Sequence, residues 1–127
     1  MAELTTIARP YAKAAFMFAK EQNALAEWEQ MLGLAAAVAQ EATMRAYLDQ
    51  PELDSETQAK AIGDVCGDEL NESARNFIAQ LADNKRLALL PTIAMLFHEL
   101  AAEDQRTIDV ELIAPFELED AETDKLV

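Results

Sequence analysis

An all-α bundle is the fold class this sequence predicts, and three observations carry it. Hydrophobic residues make up 51% of the chain but aromatics only 6%, with alanine supplying an unusual share. Alanine is the best helix former, and its small side chain lets helices approach closely. Three glycines and four prolines in 127 residues leave room for long helices with short connections. Apolar residues also recur three and four apart through most of the chain, the spacing of a buried helix face. The length suits one core and is too short for two full domains.

The first helix organises the rest. On the stretch from Thr5 to Gln22, Arg9, Lys13 and Lys20 fall on one narrow line, while apolar residues cover ~240° of the remaining circumference at ~100° per residue. A surface helix reaching a single core needs a stripe of only ~100°. Ala8, Ala12, Ala15, Phe16 and Ala19 form one half of the arc; Ile7, Tyr11, Ala14 and Phe18 form the other. A helix apolar on two sides is either sunk in its own domain or shared with a partner. Thr5 or Thr6 can cap this helix, but Pro10 lacks a donor and pushes Arg9 from the α region. Either the first turns are kinked, or the regular helix begins near Pro10.

Asn23 ends that helix and can cap a second, Ala24 to about Gln40, with Leu25, Trp28, Leu32, Ala35, Ala36 and Ala39 inward. A short third segment, Glu41 to Asp49, carries Met44, Tyr47 and Leu48 and stops at Gln50-Pro51. Asp54 or Ser55 caps the fourth, with Ala59, Ile62, Val65 and Cys66 inward and Gly67 at its C-terminal end. Asn71 caps the fifth, Glu72 to Asp83. Its apolar face is Ala74, Phe77, Ile78, Leu81 and Ala82; Asn76, Ala79, Gln80 and Asp83 lie opposite, polar but weakly charged. Asn84-Lys85-Arg86 forms a turn. The sixth helix runs from about Leu87 to Glu103, and Pro91 is tolerable there only in the first turn.

After Gln105 the pattern changes. Thr107 to Ile113 alternates with period two, which predicts a half-buried strand, and an acidic stretch from Glu117 to Asp124 follows Pro115. A single strand cannot satisfy its own backbone. The expected organisation is a six-helix bundle over residues 1–105 and the strand-like start of an incomplete second domain, mobile or loosely docked, over residues 106–127.

A formal net charge of −14 argues strongly against direct binding to nucleic-acid backbones, which need clustered Lys and Arg, and against independent adhesion to anionic lipid. One cysteine permits no intrachain disulfide. The opening residues have neither the cationic region nor the apolar run of a signal peptide, and no segment approaches ~20 uncharged apolar residues. The plain expectation is a soluble protein of a reducing compartment without direct membrane insertion.

Motifs of catalysis are absent. No phosphate-binding glycine loop, dinucleotide fingerprint or zinc-protease pair occurs. His98 stands among Glu99, Glu103 and Asp104 without a second His or Cys at ligand spacing, so a solvated or capped histidine is the reading. Cys66, on an apolar face, is a small buried hydrophobe. Asp49, Glu52 and Asp54 gather in a loop beside Pro51, where nothing buries a carboxylate for acid–base work. Gly63-x-x-x-Gly67 has the spacing of a close-packing motif, but Asp64 and Asp68 interrupt it. Trp28 reads as core. No catalytic, metal or cofactor site is expected.

The run Ala8-Arg9-Pro10-Tyr11-Ala12-Lys13-Ala14-Ala15-Phe16 closely resembles the opening of the delta subunits of bacterial F-type ATP synthases, the family of the mitochondrial oligomycin-sensitivity-conferring protein. Trp28, Val65-Cys66-Gly67 and Asn84-Lys85-Arg86-Leu87 add to the likeness, which covers about residues 1 to 115. The resemblance implies a non-enzymatic stator subunit, peripheral on the cytoplasmic face of the inner membrane. It implies a bundle that holds the amphipathic N-terminal helix of one alpha subunit between its first and fifth helices. Ile7, Tyr11, Ala14 and Phe18, with Asn76, Ala79 and Gln80, map to that groove. The b subunits of the peripheral stalk would be met through a C-terminal domain whose most recognisable segment is not in this sequence. A small helical RNA-associated factor of the antitermination type is the alternative reading, disfavoured by the acidic balance.

Overall fold

A computed structural model describes the backbone of residues 2–121 and the side chains of residues 4–107. Six α-helices occur among the described residues: α1 (Ala2–Glu21), α2 (Leu25–Gln40), α3 (Ala42–Leu48), α4 (Ser55–Cys66), α5 (Glu72–Asp83) and α6 (Leu90–Ala121). The chain divides into two compact units, Met1–Phe97 and His98–Val127. All that follows on packing concerns the first.

Its core is built from every helix except the short α3. Phe97, Leu32, Ile62, Ile78, Leu81, Leu90 and Ile93 are its largest fully buried side chains. Trp28 is also buried, as its helical spacing predicts, and so are Leu32, Ala35, Ala36 and Ala39. On α4, Ile62 and Cys66 point inward, but Val65 does not: it is 62% exposed. Val65 stands ~100° from Cys66 around the helix, and α4 buries only a narrow stripe.

Helix ends follow local side-chain chemistry. Asp54 caps α4 by accepting the Thr57 N–H at 2.8 Å, and Asn71 caps α5 by accepting the Ala74 N–H at 2.9 Å. Glu41 does the same for α3, accepting from Met44 at 3.0 Å. Asn23 departs from expectation. It does not cap α2, which starts from Ala24 with no side-chain cap. Instead its φ of +58 closes α1, with the Ala24 N–H bonded to the Ala19 carbonyl and the Asn23 N–H to Lys20. That is the Schellman arrangement, in which Asn is a common substitute for glycine. Lys85, at φ +59, closes α5 in the same way. Gly67 ends α4 with φ +63.

One further expectation is corrected. Thr5 and Thr6 are not caps, because α1 already begins at Ala2 and passes through Pro10. Surrounding turns hold the helix although Pro10 offers no N–H to the carbonyl four residues back. The segment from Thr107 to Ile113, expected as a strand, falls within the range of α6. The expectations for the faces of that segment, and for residues 122–127, lie outside the described residues. Pro91 falls in the first turn of α6, after a 3₁₀ turn at Leu87–Leu89.

Candidate functional site

On α1 the usual size order is inverted. The residues it buries fully are all alanines, Ala8, Ala12, Ala15 and Ala19. Of its larger apolar side chains only Phe16 packs inward, half-buried against Phe97; Leu4 is 43% exposed, Ile7 39%, Met17 66% and Phe18 39%. Ala14 is exposed and Tyr11 half-buried. The alanine stripe draws the helix close to its neighbours and leaves a row on its flank, ~90° around the helix, largely exposed. Leu4, Ile7, Tyr11, Ala14 and Phe18 alternate in steps of three and four, the spacing of a seam that receives another helix. Leu4 is a member the sequence reading left out; its position three residues before Ile7 was the available signal.

Phe18 does not stand alone. Its ring lies edge-on to Trp28, with centroids 5.7 Å apart, and Trp28 is in turn edge-on to Phe77 of α5 at 5.8 Å. Farther along, the Asn84 side-chain amide donates to the Tyr11 hydroxyl at 3.2 Å. Later residues of α1 thus lie toward earlier residues of α5, so the two helices run antiparallel, with Trp28 of α2 as a floor between them. Phe77, expected as core, is only half-buried because it forms part of this floor.

On α5, Asn76 and Gln80 are exposed and Ala79 is half-buried. Gln80 shares the face of Phe77 and Asn84, and Asn76 adjoins it. Ala79, two residues or ~200° beyond Phe77, lies on the other flank of the helix, with Arg75. The contacts with α1 and α2 are therefore made by Phe77 and Asn84, which the sequence reading did not place in the site. The Lys20 ammonium lies 6.0 Å from the centroid of the Phe16 ring, on the side away from the row.

The surface is apolar along α1 and amide-rich along α5, suited to packing rather than bond-making. Burial pushes the Cys66 thiol up, with Arg75 partly opposing, so that it stays a protonated, inert core group. Among the described residues no cluster of His, Cys, Asp and Glu is arranged to hold a metal. No helix among them is long and apolar enough to cross a membrane.

The family model described as ATP synthase delta (OSCP) subunit matches residues 7–127. The chain is 72% identical over its whole length to ATP synthase subunit delta of Alcanivorax borkumensis, spanning 71% of that protein. It is 50% identical over 118 residues to ATP synthase subunit delta of Cellvibrio japonicus, covering 93% of this chain and 66% of that one.

Proposed function

The chain belongs to the ATP synthase delta (OSCP) subunit family, and from that membership we propose that it is a non-catalytic stator subunit whose first unit binds the amphipathic N-terminal helix of an alpha subunit. The observation that carries the reading is the uncovered row Leu4, Ile7, Tyr11, Ala14 and Phe18 beside the Trp28 floor. An amphipathic helix laid there would put its apolar face on that row and its polar side toward Asn76 and Gln80, the helix-in-groove mode of recognition. Ala14, the smallest member of the row, sets where the two backbones come closest. Holding the catalytic head in this way resists rotor torque during proton-driven ATP synthesis. The same reading has the b subunits of the peripheral stalk as a second partner. The assembly would sit peripherally on the cytoplasmic face of the inner membrane.

Trp28 is the one tryptophan of the chain, and it lies against a residue of the row, so its emission reports on the groove. Titration with a peptide of the alpha N-terminal helix is expected to shift that emission saturably. A peptide that neither changes the emission nor binds by calorimetry refutes the reading.

A further inference from the structure

Two contacts cross the groove, and they are set at the same interval on both walls. On α1, Tyr11 and Phe18 stand seven residues apart; on α5, so do Phe77 and Asn84. Seven residues span ~10.5 Å at 1.5 Å per residue, so the antiparallel walls meet twice in one register. One crossing is apolar, from Phe18 to Phe77 by way of the Trp28 ring. The other is polar, the Asn84 side-chain amide donating to the Tyr11 hydroxyl at 3.2 Å.

Docking changes the surroundings of the polar crossing far more than those of the apolar one. In the free protein Tyr11 is half-buried, and water reaches its hydroxyl. Tyr11 also belongs to the row on which a helix would lay its apolar face. That face would cover the phenol, displace its water and offer it no hydrogen-bond partner. A covered hydroxyl left without a partner costs more than the net worth of the bond it had. Buried polar groups are accordingly almost always paired. Among the described residues, Asn84 is the partner that the Tyr11 hydroxyl has. Asn84 itself is exposed at the end of α5, where its amide keeps access to water.

We propose that Asn84 is a positioning residue of the groove, acting through Tyr11: it keeps the hydroxyl paired and the ring in place when a docked helix excludes water. The proposal rests on the groove reading above. It makes the two residues unequal. Loss of Asn84 strands the hydroxyl in the complex. Loss of the hydroxyl strands nothing, because the Asn84 amide turns to water.

The test is a cycle of Asn84→Ala, Tyr11→Phe and the double variant, each titrated with the alpha N-terminal helix peptide by calorimetry. Alanine fits position 84, whose φ of −89 and ψ of 2 are ordinary and whose own N–H bonds the Gln80 carbonyl. Thermal unfolding verifies that each variant is folded. Asn84→Ala is expected to bind about tenfold more weakly than the wild type, a gap of ~1.4 kcal/mol. Tyr11→Phe is expected to bind nearly as well as the wild type, and the double variant to recover most of what Asn84→Ala loses. A general loosening of the protein by Asn84→Ala would show no such recovery. A second readout uses the unaltered side chain: the NMR signal of the Asn84 side-chain amide. In the wild type saturated with peptide, it is expected to stay displaced from its position in the Tyr11→Phe complex. Wild-type affinity in Asn84→Ala, a double variant no better than Asn84→Ala, or coincident amide signals in the two complexes overturns the role of Asn84 and leaves the groove standing. Failure of the wild type to bind the peptide overturns both.

Discussion

The guanidinium of Arg75 occupies the space that a side chain at Gly63 would need. A Cβ at Gly63 would stand 2.6 Å from Arg75 Nη1, and the same guanidinium donates through Nη2 to the Gly67 carbonyl. Arg75 thereby ties α5 to the last turn of α4. Glycine inside a helix is otherwise a disadvantage of roughly 0.5–1 kcal/mol relative to alanine. Gly63→Ala should regain that amount only where Arg75 is already gone. In the wild type the displaced Arg75 offsets the gain. Urea unfolding of Gly63→Ala, Arg75→Ala and the double variant checks this, since independent sites would give additive losses.

Burial separates three neighbours on α5. Leu81 is fully buried, so Leu81→Ala should cost roughly 2–5 kcal/mol in a denaturant titration. Phe77 is half-buried and rests on Trp28, so Phe77→Ala should cost less than Leu81→Ala and also disturb Trp28 emission. Gln80→Ala, at an exposed position, should leave stability within ~0.5 kcal/mol of the wild type. Equal losses at Leu81 and Gln80 would mean that α5 is rotated from the orientation described.

What was legible in the sequence is what depends on short-range chemistry and helical period. Asp54 and Asn71 are recognisable as caps because a cap needs only a side-chain oxygen and the N–H three residues on. Trp28, Leu32, Ala35, Ala36 and Ala39 of α2 follow from spacing, which missed the buried Met31 and placed the half-buried Leu25 inward. Lys85 closing α5 at positive φ could not be read, because lysine seldom adopts that conformation and only the packing of the turn demands it. Ala79 illustrates the limit at the site. Period assigns it to the face opposite the core, yet only the Trp28–Phe77 and Tyr11–Asn84 contacts tell which flank of α5 turns toward α1.

The caps predict a pH dependence. The Glu41 carboxyl is held below its ordinary value first by the Met44 backbone N–H. Asp54 is held low by Thr57, through its hydroxyl and then its N–H. A carboxyl with a depressed folded value stabilises the protein above its unfolded pKa and loses that contribution as pH falls through the folded one. Asp54→Ala should therefore melt below the wild type at neutral pH. The difference should shrink as the pH is lowered from ~4, the ordinary carboxylate range, toward acid. Melting curves across that range check it; a difference that widens on acidification would contradict the cap.

Ala14 joins the fold to the proposed function. It is exposed on α1, on the side away from the buried Ala8, Ala12, Ala15 and Ala19. In Ala14→Asp the new carboxylate remains in water in the free protein, so the thermal midpoint should change only slightly. When the alpha N-terminal helix docks, the same carboxylate must lose its water against an apolar face without a counter-ion. Such a burial costs at least several kcal/mol in practice. Because ~1.4 kcal/mol is tenfold in affinity, binding should fall by orders of magnitude. Ala14→Ser, which adds a hydroxyl but no charge, should lose far less. Thermal unfolding of the free protein and peptide titration on the same samples separate the outcomes. If Ala14→Asp unfolds the protein, position 14 belongs to the core and the groove lies elsewhere. If it alters neither stability nor binding, this face of α1 is not where the alpha helix docks.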